Sequence, residues 1–434
     1  MLTDCYLPRL GGIEVQVADL SARLVARGHE VEVFTLTPGG VAYGHVEILG
    51  GIPVHRLGVR LPRQLLVNPL ATRGLRDELE SFDVAHIHMG VISPFASDCG
   101  FLTARMGLPT TMTWHCVLDK AEAAFRAAGV VRRWAQAGMA MNAVSDVAAT
   151  PLRRIVDGPP VLVLPNGIDV EAWRPTAGRP LLGDGIVRFV SAMRLESRKR
   201  PVQLVEAMAK VRAAAPRAGV RLEILGEGSE RPKVERTIAR LGAQEWVALP
   251  GRVPRDTLKE RYAASDVFVS PSVLESFGIA ALEARVAGLP IVGRVGSGIS
   301  ELVTDDVNGF LADDDEELVR RLTTLAVHPS VRSRMAAYDR KNDPARMADI
   351  PVVTLSKTRR ELWSAPDGQC KRAGEMDSMD RMDGMDRGRN LRFRPWRPWR
   401  PCRPSCGAPG GCGVLFARPR GVGEVARFGG RVVR

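Results

Sequence analysis

Apolar positions along the first 365 residues follow two spacings, short runs at strand period and longer stretches at helical period. Gly11-Gly12 opens a stretch in which Val15, Leu20, Leu24 and Val25 recur at helical spacing, and Gly28 stops it. A run at residues 31–35 reads as a strand, as do 83–88, 110–114, 142–145 and 161–164. Ser145-Asp146 reads as the cap of a helix leading to Ile155. This is the β-α-β rhythm of a doubly wound parallel sheet. Pro165-Asn-Gly-Ile-Asp169 and Trp173-Arg-Pro175 end that half, and the Gly/Pro-rich residues 178–185 read as a linker.

A second rhythm predicts strands at 187–191, 221–225, 247–249, 267–269 and 290–292, with helices between them. The expected fold class is α/β: two Rossmann-like doubly wound domains, 1–177 and 186–335, facing across a cleft lined by strand C-terminal ends. Residues 336–365 are the candidate for a helix returning to the first domain, although 338–351 have little apolar period. Residues 366–434 differ in kind. They repeat Met-Asp and then Arg-Pro-Trp, lack either period, and are expected to be a disordered basic tail. A slipped reading frame in a GC-rich gene would produce such a segment too.

The formal net charge is +12, with 61 Lys+Arg and 49 Asp+Glu. The tail carries +8 of it, which leaves +4 for residues 1–365. That mild excess suits an anionic ligand or an anionic membrane surface without demanding either. No run of 18 apolar residues predicts a spanning helix, and the N-terminus lacks a basic-then-apolar leader pattern. Cys5, Cys99 and Cys116 are scattered, and Cys402, Cys406 and Cys412 match no zinc spacing. This usage points to a reducing cytoplasm. Arg56, Arg60, Arg63 and Arg73 lie in a loosely apolar segment and suggest peripheral contact with the inner face of the plasma membrane. The tail's Arg-Trp repeats could bind nucleic acid or lipid, but disorder without function outweighs that, and no specific nucleic acid is expected.

The candidate chemistry gathers at strand ends. After the run at 267–269 come Glu275, then Ser276-Phe277-Gly278-Ile279 opening an Ala-rich helix, then Glu283. Free N–H groups at a helix start suit a phosphate or a polarised hydroxyl. Two turns of helix would separate the carboxylates by roughly 12 Å. That exceeds the roughly 5 to 9.5 Å with which glycosidases straddle one bond, so the pair fits two parts of one long ligand better. Arg194 and Lys199 follow the first strand of the second half and could neutralise a leaving pyrophosphate, with Arg198 and Arg200 adding density; a solvated basic loop is the plain alternative. Gly11-Gly12 would let backbone approach a diphosphate, or is simply a turn. Gly226 with Gly228, and Val253 in Gly251-Arg-Val-Pro254, follow strands and could border the cleft or face a nucleobase. His115 ends a strand, where it could bond a sugar hydroxyl or serve structure alone. His86 and His88 share one strand face and with His115 could make a metal site, but no carboxylate stands at ligand spacing nearby, so no metal site is expected.

Asp4-Cys-Tyr-Leu-Pro-Arg-Leu-Gly-Gly-Ile-Glu14, Arg27-Gly-His29, Pro165-Asn-Gly-Ile-Asp169, Arg194 with Lys199, and Glu275-Ser-Phe-Gly278 with Glu283 together resemble the retaining GT-B glycosyltransferases of family 4, also called group 1, over about residues 3–313. The nearest members are similar to bacterial enzymes that glycosylate phosphatidylinositol, inositol phosphate or cell-surface lipids. The resemblance implies a UDP-, GDP- or ADP-sugar donor and a hydroxyl acceptor, with a phosphoinositol or cell-envelope lipid as the candidate. It implies that Arg194 and Lys199 hold the diphosphate and Glu283 the ribose. Glu275, with the N–H groups of Phe277 and Gly278, would hold the donor sugar. Gly11-Gly12 would close from the other side, and His115 would stand between donor sugar and acceptor. No cofactor or metal is implied, because the cations replace it. Only Met1-Leu-Thr3 precede the Asp4 motif here, so the central strand of the first sheet is expected to be short. The alternative is a catalytically defective or truncated remnant of such an enzyme. A nicotinamide-dependent oxidoreductase fits poorly, since no Gly-x-Gly-x-x-Gly with a following acid is present.

Overall fold

The computed structural model describes residues 1–9, 11–39, 45–58, 68, 70–175 and 185–341. The expected linker falls mostly outside them, as do Arg60, Arg63, residues 342–365 and the whole basic tail.

Two sheets form the body, and the helices of the first half include α2 (Leu75–Leu79), α4 (Glu122–Ala128) and α5 (Val130–Gln136). In the first half, strands β1 (Leu2–Thr3), β2 (Val33–Thr35), β3 (Val46–Leu49), β4 (Ile52–Arg56), β5 (Ala85–Met89), β6 (Thr110–Trp114), β7 (Ala140–Ala143) and β8 (Val161–Val163) assemble in the order β3-β4-β2-β1-β5-β6-β7-β8. All neighbours are parallel except β3 and β4. The second half contributes β9 (Ile186–Ala192), β10 (Gly219–Leu225), β11 (Val247–Gly251), β12 (Val267–Val269), β13 (Ile291–Arg294) and β14 (Gly309–Ala312), all parallel, in the order β11-β10-β9-β12-β13-β14. Counted from β9, that is the doubly wound order 3-2-1-4-5-6, whose switch point lies between its first and fourth strands. Here those are β9 and β12. In the first half the reversal falls between β1 and β5.

The short central strand is as expected. Leu2 and Thr3 pair with β2 on one side and β5 on the other, and both are buried. Asp4, just past it, accepts from the N–H groups of Phe95 and Ala96 at 3.1 and 3.0 Å. It thereby caps helix α3 (Pro94–Met106), whose own Ser93 makes no side-chain cap. Burial pushes the Asp4 carboxyl up to about 6 despite those donors.

Helix α1 (Gly12–Ala26) buries Val17, Leu20 and Ser21 and stops just before Gly28, which takes a positive φ, as the periodicity predicts. Helix α6 (Asp146–Val156) starts as predicted, Ser145 Oγ accepting from Ala148 N at 3.0 Å. That cap pulls Ser145 out of β7, which ends at Ala143 rather than at 145. The β3–β4 hairpin and β14 were not predicted. The hairpin's signal was Gly50-Gly51, both at positive φ (58° and 81°), as a two-residue turn requires.

The membrane reading of Arg56 is corrected. The side chain is 1 % exposed, reaches Glu47 at 2.9 Å and donates to the Leu7 and Thr37 carbonyls, so it cannot face a bilayer. Arg73 is exposed. Among the described residues no helix is long and apolar enough to cross a membrane.

The second half carries helices α8 (Pro201–Ala214), α9 (Arg231–Arg240), α10 (Arg255–Ala263), α11 (Ile279–Val286), α12 (Asp315–Val327) and α13 (Pro329–Lys341). One apolar core passes from the first sheet through Ile168, Val170 and Trp173 into Tyr262, Phe268, Phe277 and Leu282 of the second half. The short helix α7 (Val170–Trp173) is the stitch: the Trp173 and Tyr262 rings lie 5.8 Å apart.

Candidate active site

The wall from the second half is built at the β9/β12 switch point. Beyond β9 the chain turns through a 3-10 helix, Ser197–Lys199, and Arg200 takes a positive φ of 58°. Arg200 grips Asp315 with two bonds, 2.9 and 2.6 Å, and Arg294 holds the same carboxylate at 3.0 Å. Those bonds anchor the loop with Lys199 facing inward. Its Nζ stands 2.5 Å from Glu275 Oε2, with both side chains less than one-fifth exposed. Arg198 turns to Glu196 at 2.9 Å. Of the four expected cations, Arg194 and Lys199 reach the cleft, while Arg198 and Arg200 serve the loop.

Polar links cross from one half to the other. Arg194 reaches the buried Glu14 at 3.2 Å, and Arg9 holds the same carboxylate at 3.0 Å. Gly11 makes room for this contact: a Cβ there would come 2.0 Å from Arg194 Nη2 and 2.4 Å from Glu14 Oε2. Gly12 faces Ile279 at the start of α11. Ser276 Oγ donates to the His115 carbonyl at 2.7 Å. Arg255 clasps Asp19 of α1 at 3.0 and 2.9 Å, lies over the Trp173 ring at 5.3 Å and stands 3.8 Å from Glu283. Glu301 accepts from the N–H groups of Asp146 and Val147, at 3.0 and 3.1 Å, at the start of α6.

Glu275 lies in the loop before α11 and Glu283 in its second turn. Burial pushes the Glu283 carboxyl up to about 8; Arg255 opposes the shift and Asp19 reinforces it. Phe277 is a core side chain at 2 % exposure, so its neighbourhood is fixed by packing. Gly278, at φ 91°, caps α11, and a Cβ there would strike Ile299 at 2.7 Å. Gly226 answers a strand-packing need: a Cβ would come 1.9 Å from the Met193 carbonyl oxygen. Val253 is half-buried against the main core, in the loop between β11 and α10.

The histidine cluster of the first half is uncharged. His86 and His88 stack at 4.0 Å between centroids, and His88 and His115 at 5.2 Å. His86 Nε2 lies 2.7 Å from Thr113 Oγ1, which donates to Asn142 Oδ1 at 2.5 Å. Since Thr113 gives its proton to Asn142, it accepts from His86. Burial lowers His86 and His115 to about 3 and His88 well below the ordinary histidine range, so all three are neutral at pH 7. The rings bond one another and Thr113; among the described residues no group of three or more His, Cys, Asp or Glu is placed to hold a metal ion. The three histidines line a small pocket with Gln16, Thr113 and Asn166.

Two family models cover most of the described chain: Glycosyltransferase Family 4 over residues 10–172 and Glycosyl transferases group 1 over 182–342. The chain is 31 % identical over 344 residues to the D-inositol 3-phosphate glycosyltransferase of Geodermatophilus obscurus, spanning 70 % of this chain and 74 % of that one. This chain belongs to the group 1, family 4 glycosyltransferases. The D-inositol 3-phosphate glycosyltransferase of Xylanimonas cellulosilytica is 30 % identical over 81 % of this glycosyltransferase and 93 % of its own length. A phosphatidylinositol N-acetylglucosaminyltransferase subunit from Arabidopsis thaliana is 26 % identical, covering 81 % of this chain and 80 % of its own. Among solved structures, Anabaena Alr3699/HepE in complex with UDP and glucose superposes with a TM-score of 0.63 at 19 % identity, over 84 % of this chain and 99 % of that one. Sucrose-phosphate synthase from Thermosynechococcus elongatus gives 0.64 at 18 % identity, over 84 % and 96 %. The expected GT-B fold, two Rossmann-like sheets in one chain, is therefore the observed one.

The glycosyltransferase's cross-half partners Asp19, Arg255 and Glu301 gave no sequence signal, because each acts with a residue more than 150 positions away. Glu14 had one: an acid in the first turn of α1 suits the helix dipole, and that ordinary reading hid its ion pairs.

Proposed function

We propose that this glycosyltransferase moves a hexose from a nucleotide-sugar, UDP-linked as the first choice, to a hydroxyl of an inositol phosphate or a phosphoinositol-type lipid, with retention of configuration. The observation that carries the reading is the Lys199–Glu275 ion pair at the β9/β12 switch point, with Arg194 set against Gly11 and Glu14 of the first half. The relatives named for inositol-phosphate and phosphatidylinositol transfer, and the HepE complex with UDP and glucose, support this choice of donor and acceptor.

In this reading Arg194 and Lys199 take the diphosphate charge as it grows on the leaving group, which is why the reaction asks for no metal. Lys199 exchanges its Glu275 partner for phosphate oxygen, and Glu275 turns to the donor sugar with the N–H groups of Phe277 and Gly278. Ser276 and Ile279 shape the same turn. Glu283 bonds the ribose, with Gly226 and Val253 bordering the nucleoside. His115 stands by the acceptor hydroxyl, and the leaving phosphate takes the acceptor proton on the face that the sugar leaves. Peripheral membrane contact at the cytoplasmic face belongs to this proposal, for a lipid-linked acceptor.

The test is thermal unfolding of the full chain against UDP-, GDP- and ADP-sugars. A ligand that binds only the folded state raises the midpoint. UDP-sugars are expected to raise it, and Glu283→Ala to abolish the rise. Proton NMR of the product's anomeric signal then reads retention. A cooperative transition that no nucleotide-sugar moves would favour the catalytically defective reading.

A further inference from the structure

Glu14 is sealed inside the first half, yet two arginines share it, one from each side of the cleft. Its side chain is 2 % exposed, and one oxygen, Oε1, meets Arg9 Nε at 3.0 Å and Arg194 Nη2 at 3.2 Å. Arg9 lies on the same half as Glu14, in the segment before α1, and Arg194 on the facing half, beyond β9. The arginines are far more open, 42 % and 32 % exposed. The Arg194 guanidinium fills the space beside Gly11 that a Cβ would need. Its other nitrogen, Nη1, stands 3.8 Å from Glu196, which belongs to the same loop as Arg194. The cross-half partner of this cation is therefore a buried carboxylate, and a carboxylate left buried without a cation is strongly destabilising.

We propose that Glu14 is the resident counter-ion of Arg194, holding the place of the donor's diphosphate while no donor is bound, and that Arg9 permits the exchange by keeping Glu14 paired once Arg194 turns to phosphate. This rests on the transferase reading above and adds two positioning residues to it, both from the first half. Carboxylate and phosphate offer a guanidinium the same kind of paired, charged acceptors. A diphosphate carries more oxygens and more charge, so it displaces the carboxylate. Without Arg9 that displacement would strand a buried anion; with Arg9, Glu14 loses one of its two partners and keeps the other. The exchange also selects. A ligand must bring enough negative charge to take Arg194 from Glu14, so an uncharged nucleoside gains nothing from this arginine. In the reverse direction, the returning carboxylate helps the spent nucleoside diphosphate to leave.

The experiment is calorimetric titration of UDP, GDP and ADP into the full chain, with the matching nucleosides as uncharged controls. Glu14→Gln keeps the side chain's size and an acceptor oxygen for Arg9, and removes the charge that competes for Arg194. It should tighten the nucleoside diphosphate about tenfold, the scale of one charge-assisted bond, and leave the nucleoside unchanged. Arg9→Ala should weaken the diphosphate by a similar factor, and should have no effect once Glu14→Gln is present, because no buried anion is then left to strand. A packing role alone would weaken binding in both single variants, and the losses would add. Unchanged or weaker diphosphate binding in Glu14→Gln would overturn the proposal. So would equal tightening of nucleoside and diphosphate, or an Arg9→Ala loss that is the same in both backgrounds. If wild type binds a nucleoside diphosphate while these arms fail, only the exchange falls. If neither wild type nor Glu14→Gln binds any of the three, the donor reading falls and the exchange with it.

Discussion

The two walls of the cleft titrate in opposite directions. The first half brings three buried histidines that stay neutral, and the second brings Arg194, Lys199, Glu275 and a buried Glu283 whose carboxyl is pushed up to about 8. The histidines and Glu283 are both perturbed chiefly by desolvation, yet burial disfavours a cation on one side and an anion on the other. The Lys199–Glu275 pair and Glu283 thus belong to one wall, while the facing wall carries Arg9, Glu14 and Asp19 beside a histidine cluster that stays uncharged.

The largest expected effect is acid loss of stability from the histidine wall. An unfolded histidine takes up a proton near 6.5, whereas His86 and His115 do so in the fold only near 3. Below pH 6.5 the unfolded chain therefore binds more protons, and stability falls as pH falls. The cost is roughly 2 kcal/mol per ring at pH 5, and His88 adds to it in the same direction. Urea midpoints from pH 7 to pH 5 read this, and His86→Gln should flatten the slope by about one ring's share. An unchanged slope in that variant would show that the ring is not neutral in the fold.

The opposing wall gives the opposite slope. Unfolded Glu283 ionises near 4.5, whereas the folded group holds its proton until about 8. The unfolded state binds fewer protons across that window, so Glu283 lowers stability as pH rises from 4.5 to 8 and has no further effect above. Glu283→Gln removes this slope. Its stability relative to wild type should grow by a few kcal/mol between pH 5 and pH 8.5, read by urea midpoints at the two pH values. Equal gains at both pH values would mean that Arg255, 3.8 Å away, keeps Glu283 ionised throughout.

Activity should separate the walls as well. Lys199→Ala removes a preorganised cation and should lower kcat about 10²- to 10³-fold in a nucleotide-sugar turnover assay, without abolishing the folded-state melting transition. His86→Gln touches no reacting group and should spare kcat by comparison. Similar losses in both would dissolve the distinction between a charged, reacting cluster and a neutral histidine cluster.

How much of this was legible depends on whether a signal is local. Strand ends were legible, because apolar runs followed by Gly or charged residues mark them. The position of Arg194, Lys199, Glu275 and Glu283 at the β9/β12 end therefore shows in the sequence alone. The histidine cluster was legible as His86 and His88 on one strand face and His115 at another strand's end, but period alone says nothing of β6 delivering His115 to within 3.0 Å of His88. Short elements with half-exposed faces, such as β3, carried too little apolar contrast to read. Closure was invisible. Arg255 to Asp19 spans 236 positions and Glu301 to Asp146 spans 155, and a single ion or cap contact leaves no periodic trace at either end.

Glu301 supplies the smallest effect and the most direct check on that closure. Its carboxylate bonds the first N–H groups of α6, where the helix dipole also favours an anion. Ser145 already satisfies Ala148 N, so the two sets of acceptors are complementary and α6 keeps one cap without Glu301. Glu301→Ala should therefore leave the helix folded and cost about 1 kcal/mol, the scale of a lost cap. Because the contact joins the halves, the cost should appear as looser closure: faster amide exchange at Asp146 and Val147, with the core strands β5 and β6 unchanged. Glu301→Gln keeps an acceptor oxygen and should recover part of the protection. Exchange rising equally throughout β5 and β6 would instead make Glu301 a determinant of global stability, and the two walls would then behave as one cooperative body.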